Sequence, residues 1–395
     1  MVPTAPGRGA LRGIRVLELT HAIAGPHAGQ MLADHGADVI KVEPPTGELA
    51  RGAYPLVEGE SIYFATHNRG KRSVALNLKS ADGLAALRAL IANADVLLTN
   101  YADGVPDRLG FGYAAVAELN PSLVMTHITG FGPDADWAPP VAFDGVIQAM
   151  SGIADLTGHP GSTATFSGVF PADHLASYHA VLGTMLALRE RSLTGTGQLV
   201  PVSMLDSYQT LMAHEVGLVA EGTPSTRVGN TVPGAFADVF PARDGAVFIS
   251  PLGQPTWERF WSALGERRVV EEVAYADSLG SEYEDLRDTV VTWVAEHSVA
   301  EVCAVMNEAR VPHGPMTTAA DAVTAMAQPH RDRIREVTTP SGRRVSTPAP
   351  PLRTGLVDHH LTMRIPAIGE HTAEVLEPVL EPDLLMRVLE AADSV

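Results

Sequence analysis

Ile14-Arg15-Val16-Leu17-Glu18-Leu19 opens the stretch that decides the fold. It reads as a strand, rich in aliphatic and β-branched residues. His21-Ala22-Ile23-Ala24-Gly25 follows as a loop of mostly small residues. Pro26 sits where helices start, and Pro26 to His35 reads as a helix closed by Gly36. Asp38-Val39-Ile40-Lys41-Val42-Glu43 is the next strand, stopped by Pro44-Pro45. Strand, short loop, helix and strand make one βαβ crossover, the repeating unit of a parallel sheet.

Outward from this stretch the pattern repeats. Ser73 to Leu78 reads as a strand, Ser80 to Ala92 as a helix, and Asp95 to Thr99 and Leu123 to Ile128 as further strands. Such alternation predicts an α/β fold with a doubly wound, mostly parallel sheet. Ligands of these sheets bind at the carboxyl ends of the strands, which singles out His21–Gly25, Asn100–Arg108 and the loop after Ile128. Phe143 to Ile153 reads as helical. Asp173 to Arg191 is a longer helix with Leu175, Tyr178, Leu182, Met185 and Leu186 along one apolar face, ended by Gly195-Thr196-Gly197. Gln198 to Met204 is a strand running into another helix. Between about 225 and 320 short strands (Phe236–Phe240, Ala246–Ile249) precede helices near Pro255–Leu264, Leu286–Glu296 and Ala300–Glu308, the texture of a smaller α+β domain. Strand-like pieces at Arg335–Thr338 and Arg343–Thr347 and a helical stretch from Thr372 to Ala392 suggest a return to the first texture after residue 325.

Composition narrows the function. Of 395 residues, 28 are Lys or Arg and 46 are Asp or Glu, a formal charge of −18, so a duplex-wrapping nucleic-acid binder is not expected. Cys303 is the one cysteine, which excludes a disulfide scaffold or a cysteine-rich metal site and fits a reducing compartment. No apolar run reaches the ~18 residues of a membrane span. Met1–Gly13 lacks the apolar core of a secretory signal. The expectation is a cytoplasmic enzyme.

Familiar cofactor motifs are missing. The first βα loop is not G-x-G-x-x-G, and of the G-x-G triplets only Gly130-Phe131-Gly132 follows a strand, with loop rather than helix after it. His174 and His179 are five apart, not the i, i+4 spacing of two ligands on one helix face, and no H-E-x-x-H occurs, so no metal is expected. Asp173 follows Phe170-Pro171-Ala172 and opens the long helix. An N-cap is the plain reading. Chemically, the helix dipole favours its ionised form, which could attack a thioester carbonyl and become an acyl-enzyme anhydride. The helix N-terminal amides could then stabilise the oxyanion.

Several blocks together resemble one family, the class III CoA-transferases (CaiB/BaiF). They are Leu17-Glu18-Leu19-Thr20, Ala24-Gly25-Pro26, Leu32 through Glu43, Asn68-Arg69-Gly70-Lys71-Arg72-Ser73, Asn100 through Gly104 with Arg108-Leu109-Gly110, Phe143 through Ala149, Arg191 through Gln198, and Ile368 through Thr372. They run through nearly the whole chain in the family's order. The resemblance implies a large Rossmann-like domain built from residues 1–205 and 330–395. A small α+β domain at 225–320 hangs on linkers 206–224 and 321–329, and two subunits interlock like chain links. It implies that Asp173 is the nucleophile of an acyl-CoA:carboxylate CoA-transferase working through an aspartyl anhydride and an aspartyl-CoA thioester. Coenzyme A thioester is then a substrate, and no cofactor is tightly bound.

Other positions carry over one by one. Ala22, Ile23 and Ala24 match the loop at the pantetheine and thioester; Asn100 and Tyr101 match a wall of the CoA channel. Arg108 matches a phosphate contact, Leu76 and Lys79 the adenosine end, and Phe143, Asp144 and Met204 the substrate pocket. Lys71, Arg72, Lys79 and Arg108 form a local basic counterweight for the CoA phosphates. The chain departs from members with formyl-CoA:oxalate activity. Ser250-Pro251-Leu252-Gly253-Gln254-Pro255 lacks their glycine run, Val141 replaces a basic residue, and Pro44 stands where others carry arginine. The family also holds α-methylacyl-CoA racemases, whose proton-exchanging histidine is Phe143 here; in that reading His174 is a substitute that should project away from the same pocket. A non-catalytic CoA-binding module is the third reading, and the intact Asp173 argues against it.

Overall fold

The computed structural model describes residues 9–133, 135–223, 225–352 and 363–393; Met1–Arg8 of the leader reading lies outside them. The chain forms two compact units. The large one comprises residues 1–152, 167–213 and 327–395, and the small one 153–166 and 214–326. Described residues from both the early and the late part of the chain thus belong to the large unit.

The large unit is a mixed α/β fold around six parallel strands: β1 (Arg15–Leu19), β2 (Asp38–Glu43), β3 (Arg72–Ala75), β4 (Val96–Thr99), β5 (Val124–Thr129) and β6 (Leu199–Ser203). Their order is β3-β2-β1-β4-β5-β6, so the direction of winding reverses between β1 and β4. A crevice opens at such a reversal, outside the strands' carboxyl ends. Helix α1 (Ala24–Asp34) begins two residues before Pro26, and Gly36 (φ 97°) supplies the left-handed turn that ends it. A short helix, α2 (Ile62–Asn68), is capped by Ser61 Oγ accepting from the Phe64 amide. Its period was not legible, since Ile62-Tyr63-Phe64-Ala65-Thr66-His67-Asn68 carries no apolar stripe.

The helix expected at Phe143–Ile153 is α3 (Asp144–Met150), and the long one is α4 (Pro171–Thr194). The apolar face assigned to α4 from sequence is reversed. Ala172, Ala176, Ala180, Thr184 and Ala187 are buried, whereas Tyr178, Leu182 and Leu186 are 47%, 56% and 63% exposed. Small residues let the helix approach the sheet closely: Thr184 Oγ1 lies 2.7 Å from Thr126 Oγ1 of β5, and a Cβ on Gly183 would come within 2.6 Å of Val200 on β6. The expected C-terminal helix is two, Thr372–Leu376 and Pro382–Asp393. They close the large core through Val375, Leu376 and Val388, and the Thr372 hydroxyl accepts from the Ala75 amide at 3.0 Å.

The small unit has a three-stranded antiparallel sheet, β7 (Asp238–Ala242), β8 (Gly245–Ile249) and β9 (His313–Pro315). Its core gathers Phe236, Phe240, Trp257, Phe260 and Trp261. Residues 153–166 fall with this unit rather than with the large one as the sequence reading placed them. The Gly229 amide donates to the Gly158 carbonyl at 3.0 Å, and Arg227 pairs with Asp155 at 3.2 Å. No single described helix is long and apolar enough to cross a membrane.

Candidate active site

The loop between β1 and α1 is held from below by buried charge. Lys41 on β2 donates to Glu18 (3.2 Å) and to the Thr20 carbonyl (3.0 Å). Lys71 binds Glu18 (2.8 Å), the Pro26 carbonyl (2.8 Å) and Asn68 Oδ1 (2.9 Å). Glu18 and Lys41 are fully buried and Lys71 nearly so. A Cβ on Gly29 would sit 1.8 Å from Glu18 Oε2, so α1 rides directly on this group. Burial depresses Lys71 to about 8, whereas three nearby carboxylates overcome the same burial penalty at Lys41 and raise it. Both ends of His21–Gly25 are pinned through these ammonium groups. Asn100, past the end of β4, clamps the loop from the other side: its Oδ1 accepts from the His21 amide (2.9 Å) and its Nδ2 donates to the His21 carbonyl (2.8 Å). Ala22 turns the loop at φ 63°, a left-handed conformation rare for a residue with a Cβ.

Asp173 lies in the first turn of α4, one turn in from Phe170 at the N-cap, so it is not itself the cap. The amides of Ala172 and Asp173 instead donate to Asp144 Oδ2 at 2.9 and 3.2 Å. Asp144, at the start of α3, is 2% exposed and also accepts from Gln148 Nε2; the Ser167 amide donates to Gln148 Oε1 at 2.8 Å. Two expectations are corrected here. The helix amides proposed for an oxyanion are taken by Asp144. Asp173 is not kept readily ionised by the dipole: burial first, then the Asp144 charge, lift it to about 7, against an opposing hydrogen bond from the Ala24 amide. Ser177 Oγ, one turn on, donates to the Ala24 carbonyl at 2.7 Å, fixing α4 against the loop.

Asp173 faces a cavity of about 630 Å³ at the carboxyl ends of β1, β4 and β5. Ala22, Asn100, Phe143 and Met204 line it with Asp173, and so do Gly130-Phe131-Gly132 after β5. The remaining predicted residues do not line this cavity, although the Ala24 amide and Asp144 both contact Asp173. Ile23 and Ala24 are buried at the N-cap and first residue of α1, and Asp144 is buried next to Asp173. Half-buried Tyr101 packs on Phe111 (centroids 6.1 Å apart), and its carbonyl meets His127 Nε2 at 2.8 Å. Leu76 belongs to the core under the sheet, while Lys79 and Arg108 are exposed. The basic counterweight shrinks to those two, because Lys71 is bound to Glu18 and Arg72 is paired with Asp38 and Glu374. His174 lines a different cavity from Asp173. That second cavity holds a feature the spacing argument missed: His27, His67 and His174 converge there from three separate helices.

Comparison with known proteins gives consistent results. The profile of CoA-transferase family III matches residues 11–372. A succinate–glutarate CoA-transferase of Agrobacterium fabrum is 31% identical over 382 residues, spanning 93% of this chain and 94% of that protein. A formyl-CoA:oxalate CoA-transferase of Rhodopseudomonas palustris is 30% identical, spanning 94% of this chain and 93% of its own. The crystal structure of a CaiB/BaiF family protein from Brucella suis superposes with a TM-score of 0.81 at 30% identity, covering 94% of this chain and all of that one.

Proposed function

The chain belongs to CoA-transferase family III and is an enzyme of the CoA-transferase type, and from that premise we propose that Asp173 is the nucleophile that carries CoA between two carboxylic acids. The observation that carries this reading is a buried carboxylate on α4's first turn facing a cavity at the strands' carboxyl ends, whose other lining carboxylates, Asp103 and Asp136, are exposed. The cycle balances without a cofactor. The Asp173 carboxylate attacks the acyl-CoA carbonyl, forming an anhydride and expelling CoA thiolate. The thiolate attacks the aspartyl carbonyl, forming the aspartyl-CoA thioester and releasing the donor acid. The acceptor carboxylate and the thiolate repeat the two steps in reverse order, returning Asp173 as carboxylate. A pKa of about 7 leaves a workable ionised fraction at neutral pH and a more basic attacking oxygen than an ordinary aspartate. Ala22 and Asn100 would border the thioester, and the exposed Lys79 and Arg108 are the cations left for CoA phosphates. The strand order supports reading the large unit as Rossmann-like. The relatives act on succinyl, formyl and other acids by their names, so overall similarity does not select this enzyme's pair; the missing glycine run at Ser250–Pro255 argues against a formyl or oxalyl substrate.

The racemase reading needs an acid and a base on opposite sides of the α-carbon. Phe143 lines the Asp173 cavity where the histidine would be needed, and His174 opens onto the other cavity. Incubation with a 2-methylacyl-CoA in deuterated water, without an acceptor acid, is expected to leave C2 unlabelled. Deuterium entering C2 at a catalytic rate would favour the isomerase.

The exposed Leu186 and Leu193 of α4 favour burial against a second copy, and the interlocked form of that homodimer is what the family resemblance implies. Light scattering on dilution to nanomolar chain should still read twice 41.8 kDa, because threaded chains part only by unfolding. A stable folded monomer would contradict that topology.

A further inference from the structure

We propose that His27, His67 and His174 form a binding site for a divalent transition metal of the zinc class, separate from the Asp173 cavity. The residues come from α1, α2 and the first turn of α4, and one ring nitrogen of each lies within 4.8 Å of the other two. Ring centroids are 4.7 Å apart for His27 and His174, 5.6 Å for His27 and His67, and 5.7 Å for His67 and His174.

Second contacts fix how two of the rings present themselves. His67 Nδ1 is 3.0 Å from the Tyr63 carbonyl, and His174 Nδ1 is 2.7 Å from the Phe170 carbonyl. A nitrogen facing a carbonyl carries the proton, so Nε2 of each ring keeps the lone pair that can ligate. This is the arrangement by which backbone carbonyls orient metal-binding imidazoles. His27 Nδ1 is buried without a hydrogen-bond partner, so no other group competes for that ring through it. The neighbouring cations are compensated: Arg69 is 2.7 Å from Asp34 and Lys71 is 2.8 Å from Glu18.

Three nitrogen donors without a carboxylate suit zinc, cobalt, nickel or copper and disfavour magnesium and calcium, which take oxygen ligands. The fourth position would open into a cavity of about 730 Å³ whose walls include Met31, Tyr178, Leu182 and Pro351, with room for a water or a small ligand. His174 directly follows Asp173, so an ion here ties the first turn of α4 to α1 and α2.

The test uses the full chain, stripped with a chelator and titrated with Co²⁺. The expected result is one Co²⁺ per chain with the intense visible bands of a four-coordinate site, displaced by Zn²⁺. His67→Gln and His174→Gln should each weaken Zn²⁺ binding by about 100-fold or more, by at least the loss seen when a ligand's supporting contact is removed. His214→Gln, on an exposed helix of the small unit, is the control and should bind as the parent does. Should His67→Gln fail to fold, the less buried His174 carries the test alone. Absence of the visible bands, or unchanged affinity in the folded variants, would overturn the proposal.

Discussion

Asp173→Ala should fold and bind CoA esters yet lose CoA transfer by about 10⁴-fold or more, the scale on which removal of a covalent nucleophile acts. Asp173 is not the N-cap, and the helix amides are satisfied by Asp144, so its loss leaves the capping interactions intact. Asp173→Asn adds a readout that a merely structural aspartate would not give. The folded-state pKa, about 7, lies above the usual 3.8, so the native state holds the proton more tightly than the unfolded chain. The wild type therefore loses stability as pH rises from the unfolded value through about 7, and the loss is complete above it. An asparagine does not titrate. Its melting temperature relative to wild type should rise between pH 5 and pH 8. Near-wild-type turnover by either folded variant would remove Asp173 from the mechanism, and a flat difference in melting temperature would remove the buried proton.

Asp144→Asn should move the acid limb of the kcat/KM profile to lower pH. Asp144 is the second cause of the raised Asp173 pKa, after burial, so removing its charge makes Asp173 easier to ionise. The asparagine oxygen can still accept from the Ala172 and Asp173 amides, so the start of α4 keeps its acceptor, while the new Nδ2 faces Gln148 Nε2 and costs about one hydrogen bond in stability. Asp144→Ala leaves those amides without their acceptor in a buried place, at a cost of roughly 1–3 kcal/mol in stability. A profile that stays put or moves to higher pH in Asp144→Asn would contradict this coupling.

The parallel sheet was legible because its strands are short aliphatic runs punctuated by proline, glycine and loop residues. Asp38–Glu43 coincides with the expected span. The place of Asp173 at the start of the long helix was legible from Phe170-Pro171-Ala172 ahead of it. What surrounds it was not. Asp144 serves the start of a helix 28 positions away, and no local pattern announces a carboxylate that caps another element. The faces of α4 were read backwards because periodicity finds apolar residues but does not say whether a sheet or a partner covers them. Here close approach to β5 and β6 selected alanine and threonine, leaving the leucines outward. Lys71 and Arg72 looked like a basic patch, but charge counting cannot see Glu18 and Asp38 across the sheet. The three histidines sit at 27, 67 and 174 on three helices, one of which carried no readable stripe, so ligand spacing within a single helix could not reveal them.

The central claim is that Asp173 is covalently acylated and then carries CoA. It is tested most directly by incubating the enzyme with an acyl-CoA in the absence of acceptor, quenching, and locating adducts by peptide mass spectrometry. The account predicts CoA joined through a thioester to the peptide bearing Asp173, absent in Asp173→Ala and discharged when an acceptor acid is added. Turnover without any adduct at Asp173, or with the adduct on another side chain, would contradict it.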